Sequence, residues 1–162
     1  MLYRPSQAAD FPALAHIRAR EWGNFEYWMH RISGYLEGGI HPQRALPSRT
    51  CYVAVEQSSV VGFVAGHLTR RYGCEGELEW INVIPERRGS GIASELLRLL
   101  AGWFVEQKAF RVCVDVEPSN AVARAFYTRY GAETLNAHWL VWDDLRKVLG
   151  TSPSSGWPRA GP

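Results

Sequence analysis

The segment Val83-Ile-Pro-Glu-Arg-Arg-Gly-Ser-Gly-Ile-Ala93 sets two glycines and two arginines between a β-rich run and a long amphipathic stretch. Amides at the start of a helix find no acceptor inside that helix, and the helix dipole favours an anion beside them. Gly89 and Gly91 carry no Cβ, so the backbone there can curl and come close to a ligand. Arg87 and Arg88 add charge and the paired donors that suit phosphate oxygens. An anion site is expected in this turn, the alternative being a tight turn with two solvated arginines. No Lys-Ser or Lys-Thr follows Gly91, so the loop is not a Walker A loop. A dinucleotide fingerprint needs Gly or Ala three residues after Gly91, where Ser94 stands, although Asp115 could play its ribose-binding acid. Just upstream, Glu77 and Glu79 lie two apart in the β-rich run. Their side chains therefore share one face, about 7 Å from each other. They read either as a general base with a second carboxylate or as two solvent-facing acids.

These groups need a frame. Leu2 to Arg4 reads as a short strand, and Asp10 before Phe11-Pro12 as a helix start, with Phe11, Leu14, Ile17 and Trp22 at helical spacing. A second helix is expected from about Phe25 to Leu36, stopped by Gly38-Gly39, and residues 40–49, with Pro42 and Pro47, read as loop. Cys51 to Val55 and Val60 to Val64 form a hairpin around Gln57-Ser58-Ser59. Gly76 to Ile84 is a third long strand, ended by Pro85. Beyond Gly91 the apolar positions Ala93, Leu96, Leu97, Leu100 and Phe104 step by three and four, an amphipathic helix. Phe110 to Val116 follows as strand, Ser119 to Tyr130 as helix, and Thr134 to Trp142 as one or two last strands. Strands joined through a helix are normally parallel, so an α/β (α+β) mixed sheet with helices on its faces is expected.

Composition narrows the function. The 162 residues, 46% hydrophobic and 21% charged, suit one domain with a real core, placed at 1–150. Residues 151–162 are mostly Pro, Gly and Ser and read as a disordered tail. A net charge of +2 gives no reason to expect nucleic acid or an anionic membrane. Apolar runs fall far short of the roughly 20 residues of a membrane span, and the N-terminus lacks a signal-peptide pattern. Cys51, Cys74 and Cys113 lie far apart and suggest neither a disulfide framework nor a metal clip, so a reducing cytoplasm is the expected location. His16, His30, His41, His67 and His138 have no metal-ligand spacing and read as structural or exposed; no metal is expected. No Gly-x-Ser-x-Gly elbow supports a serine hydrolase.

Three motifs in order now resemble one family. Arg88-Gly89-Ser90-Gly91-Ile92-Ala93 is similar to the Gln/Arg-x-x-Gly-x-Gly/Ala pyrophosphate loop of the GNAT superfamily of N-acetyltransferases. Glu77 to Pro85 resembles the strand before that loop. Asp115 to Asn120, with Ala125-Phe126-Tyr127 and Tyr130-Gly131-Ala132, resembles the family's later strand and helix. The likeness runs from about residue 50 to 142. It implies a central, mostly antiparallel sheet splayed at the cofactor, flanked by about four helices, and acetyl-CoA as cofactor. Pantetheine would meet the strand end at Ile81, Asn82 and Val83. The pyrophosphate would sit on the amides of Gly89, Ser90, Gly91, Ile92 and Ala93, with Arg87 and Arg88 as charged partners. Asn120 would hold pantetheine or the start of its helix, and Arg124 would reach an adenosine phosphate.

The same resemblance implies acetyl transfer to a primary amine in a ternary complex. An alkyl ammonium has a pKa of roughly 10.4, so a base must take its proton. Glu77, slightly preferred by register, and Glu79 are the candidates, unless a bulge alters their facing. Tyr127 matches the family tyrosine that protonates the leaving thiolate, and a backbone amide near Val83 would donate to the oxyanion. Trp22, Phe25, Glu26 and Trp28, beside Glu21 and Tyr27, read either as a pocket for a cationic acceptor or as a helix face packed on the sheet. Glu75, with Glu77 and Glu79, favours a cationic acceptor, a small amine or a protein amine. Two other readings stand: a non-catalytic acyl-CoA-binding domain of the same fold, and a dinucleotide-dependent oxidoreductase. A homodimer through the late strands is open.

Overall fold

The computed structural model describes residues 1–150. The expected tail, 151–162, lies outside the described residues. Its frame is the hairpin of β2 (Ala45–Glu56) and β3 (Ser59–Thr69), both rich in β-branched residues. At their turn Gln57 and Ser58 have φ of +49° and +67°, the left-handed pair whose twist matches a two-residue hairpin. Among the described residues the sheet has seven strands in the order β1-β2-β3-β4-β5-β7-β6. β1 (Leu2–Pro5), β4 (Gly76–Val83), β5 (Val112–Asp115), β6 (Glu133–Thr134) and β7 (Trp139–Trp142) complete it. All neighbours are antiparallel except β4 and β5. That pair is the one joined through a long helix, α3 (Ile92–Glu106), as a crossover requires.

Helices cover both faces. α1 (Phe11–Ala19) and α2 (Phe25–Leu36) bury Leu14, Ile32 and Tyr35 against Val53, Phe63, Ala65 and Trp80. α3, α4 (Ala121–Arg129) and α5 (Arg146–Leu149) pack on the other face, where Leu96, Leu97, Leu100 and Phe104 meet Val64, Leu78 and Val112. α3 lies very close to the sheet. A Cβ on Gly76 would fall 2.4 Å from the buried Phe104 ring, and one on Gly66 2.9 Å from the Glu77 carbonyl. Among the described residues no helix is long and apolar enough to cross a membrane.

Two irregularities of β4 make the site. Ala65 pairs with Trp80 and Gly66 with Leu78, leaving Glu79 as the extra residue of a β-bulge. β4 also leaves its parallel neighbour early: pairing joins Gly76–Leu78 to Val112–Val114 and then stops. The edge of residues 79–83 that would face β5 is open, and the two strands form a wedge.

The structure corrects the sequence reading in three places. Residues 40–49 are not all loop, because β2 already begins at Ala45. Pro47 is tolerated there because β1 pairs only with Tyr52–Val55, so no ladder bond is lost on that side. The first helix stops at Ala19, which leaves Trp22 in the turn before α2. α5, a single turn, had no periodic signal to betray it and brings the helices to five among the described residues.

Candidate active site

The glycine turn opens after a short 3-10 turn at Pro85–Arg87. Gly89 and Gly91 have φ of +78° and +87°, and a Cβ on either would meet nothing within 4 Å. Gly91 caps α3 in the left-handed conformation, a geometry that disfavours side chains. The amides of Gly89, Ser90 and Gly91 donate to no protein group among the described residues, and the first helical amides, from Ile92 and Ala93, have no partner within α3. This cradle fits a diphosphate. Ser90 turns its hydroxyl inward, donating to the Arg87 carbonyl at 2.5 Å, and Ile92 is buried beneath the turn. The arginines are engaged by acids. Arg87 Nε donates to Glu56 at 2.5 Å, and Arg88 pairs with Glu21 while donating to the Val83 carbonyl at 3.2 Å. Arg20 holds Glu86 with two bonds of 3.0 Å. The end of α1 is thereby fastened to the turn.

The wedge runs from the turn down the open edge of β4. Ile81 and Val83 face α3, whereas the Asn82 side chain turns toward α1 and accepts a 2.7 Å bond from Arg18 Nη1. Tyr127 comes in from α4, packed edge-on against Trp142 at 5.7 Å. Burial pushes its phenol well above the ordinary value, with the Arg18 charge opposing the shift. Its hydroxyl has no protein hydrogen bond among the described residues, so its proton is free for another acceptor. Asn120 caps α4, its Oδ1 accepting from the Ala123 amide at 3.1 Å. Arg124 reaches the Ala137 carbonyl at 3.4 Å.

On the α1/α2 face the bulge gathers Glu77, Glu79, Trp80 and Asn82. Glu77 is 4% exposed, 3.2 Å from Arg71 Nε and 3.5 Å from His67 Nε2. Glu79 lies nearer the surface, 3.7 Å from Arg31 on α2 and 4.0 Å from His67 Nδ1. Burial first, and the Glu77 charge second, raise the Glu79 carboxyl above its ordinary pKa. His67 is fully buried, with Tyr35 Oη 2.8 Å from its Nδ1. His67, Glu77 and Glu79 bring ligand atoms within 4.8 Å of one another, a set chemically able to hold a cation. Arg31 and Arg71 already balance those two carboxylates. Glu75 is apart from this group: its Oε1 accepts the amides of Phe110 and Arg111 and ties the β3–β4 loop to β5.

The acceptor candidates divide. Trp22 and Trp28 converge, each with its ring centroid 4.4 Å from the Arg18 guanidinium. Trp28 Nε1 donates to the Trp22 carbonyl at 2.6 Å and locks the pair. Phe25 stacks on His16 at 4.3 Å, and Glu26 is exposed. The cation between the two indoles is thus one of the chain's own. Sequence reasoning missed Arg18, Tyr35 and His67. The spacing of Arg18 four residues before Trp22 was a usable signal, whereas the facing of His67 and Glu77 depends on strand register.

A model of the acetyltransferase (GNAT) family matches residues 11–132. This chain belongs to the GNAT acetyltransferases. Solved structures share the GNAT fold across nearly their whole length. The aminoglycoside 6'-acetyltransferase type Ii is 15% identical with a TM-score of 0.72, the match covering 90% of this chain and 97% of that one. The PaiA N-acetyltransferase of Thermoplasma acidophilum, in complex with coenzyme A, is 14% identical with a TM-score of 0.65, covering 88% and 98%. The ribosomal-protein-S18-alanine N-acetyltransferase of Escherichia coli is 18% identical with a TM-score of 0.62, covering 86% and 90%. No curated protein matches this GNAT chain in sequence. The oxidoreductase reading is set aside by family membership and by a sheet with a single parallel pair among the described strands.

Proposed function

We propose that this GNAT protein transfers the acetyl group of acetyl-CoA to a primary amine by direct attack. The observation that carries the reading is the set of free amides at Gly89–Gly91 at the head of α3, following a strand, β4, whose pairing with β5 ends at Leu78, just before Glu79. The amides of Gly89 through Ala93 would hold the pyrophosphate, and the backbone of Ile81 to Val83 the pantetheine. Arg87 and Arg88 would add charge once released from Glu56 and Glu21. When bound, acetyl-CoA supplies an electrophilic thioester carbonyl and a thiolate leaving group.

The chain supplies the proton transfers. Glu79, rather than the register-preferred Glu77, suits the base: it is nearer the surface, and its raised pKa makes it a stronger proton acceptor than an ordinary carboxylate. Glu77, locked behind it on Arg71 and His67, contributes the charge that helps to raise that pKa. Tyr127 Oη, protonated throughout the neutral range, suits the acid at the leaving sulfur. Asn120 orients Tyr127 indirectly by fixing the start of α4. The acceptor enters over the α1/α2 face, between Arg18, Arg31 and the carboxylates.

Calorimetric titration with acetyl-CoA, followed by thiol-release assays on a panel of amines, tests this reading. Binding with amine-dependent thiol release is expected. Failure to bind acetyl-CoA overturns it, and binding without turnover of any amine favours the acyl-CoA-binding alternative.

A further inference from the structure

Among the described residues Arg18 is a cation with no ion-paired carboxylate. Its planar group lies between the indoles of Trp22 and Trp28 on the acceptor side of the wedge. Among the described residues it makes one hydrogen bond, to Asn82, and its buried Nε has no partner. No carboxylate among the described residues lies within ion-pair distance of it: Glu21 and Glu79 act on it from farther away, Glu21 paired with Arg88 and Glu79 beside Arg31. A buried charge normally gains a counter-ion that offsets its desolvation. Here two aromatic faces hold the fork rigid and flat and leave its edge donors unused, the geometry that receives a carboxylate side-on. Trp22, 45% exposed, forms the outer wall of this seat.

We propose that Arg18 is the specificity-determining residue for the acceptor and that the acceptor is an amino-carboxylate, its carboxylate on the Arg18 fork and its amine toward Glu79. The assignment rests on the acetyltransferase reading above. Asn82, which orients Arg18, and Glu79 lie three residues apart on β4, about 10 Å along an ideal strand and somewhat less across the bulge. An acceptor with separated positive and negative ends matches that pairing of a base with a fixed cation. Burial lowers the Arg18 pKa to about 10, with the Glu21 and Glu79 charges opposing the shift.

The test compares ω-amino acids of increasing length with their primary amides, which keep the amine and lose the anion. Two readouts are taken: thiol release, and calorimetric binding to the CoA-loaded protein. Wild type should favour acids over amides at least tenfold in kcat/KM, through KM. In Arg18→Met the ratio should fall to about one, and Arg18→Lys should restore part of it. Equal use of acids and amides by wild type overturns the proposal. So does an Arg18→Met protein that loses turnover with the acid-to-amide ratio intact, because such a loss marks a structural or oxyanion role. Binding without turnover is judged by the same ratio of affinities. No acetyl-CoA binding at all refutes the parent reading instead. Circular dichroism confirms that each variant folds.

Discussion

Glu77 and Glu79 are adjacent acids on one face, yet their surroundings separate them. Glu77 is sealed against His67 and Arg71, and Glu79 carries the raised pKa. A carboxyl with a raised pKa is protonated over a wider acidic range, so a base of this kind loses activity as pH falls through its own pKa. The kcat–pH profile should therefore rise with pH, with an acid limb set above the usual carboxylate value of about 4.3. Glu79→Gln should lower kcat by about a hundredfold and abolish that limb; an unchanged limb would assign it to another group. Tyr127→Phe should cut turnover by roughly ten- to a hundredfold and keep acetyl-CoA affinity within about twofold, because the role proposed for the hydroxyl is at the leaving group. Steady-state kinetics beside calorimetry checks both halves, and unchanged turnover would remove the acid role. Residue types and order singled out Glu77, Glu79 and the glycines as candidates, and the family resemblance added Tyr127. Arg18 and His67 stayed hidden, since their meaning lies in neighbours from other elements: Asn82 and Trp28 for one, Tyr35 and Glu77 for the other.

At the scale of elements, local chemistry was a good guide wherever it was strong. The three-and-four spacing of Leu96, Leu97, Leu100 and Phe104 did become the buried face of α3, and the β-branched runs about Gln57-Ser58 did become a hairpin. It failed where a weak local signal was overridden by context, as at Pro47 inside β2. Asn120 is a case where the cap can be measured. Its side chain bonds the Ala123 amide at the start of the helix that carries Tyr127. Asn120→Ala should cost about 1 kcal/mol of stability, and Asn120→Ser much less, because Ser retains a capping oxygen. Urea denaturation reads both. Equal losses from the two substitutions would mean that the cap contributes little.

Across the whole molecule, the close seating of α3 on the sheet sets where the glycine turn and the wedge stand relative to each other. Gly76 permits that approach beneath Phe104. Gly76→Ala should destabilise the protein by about 1–3 kcal/mol, since a fully buried ring must give way in a packed core. A lower urea midpoint at unchanged m-value checks this, and wild-type stability would show that α3 has slack. The sequence by itself determined most of the elements, their order and the glycine turn before α3, because spacing, glycine and helix-start chemistry act within a few residues. Only the tertiary structure decided which edge of β4 lies open, that Glu79 bulges from it, and that Arg18 fills the space between Trp22 and Trp28. Those outcomes depend on register and on charge burial between segments distant in the chain, where no local pattern records the balance.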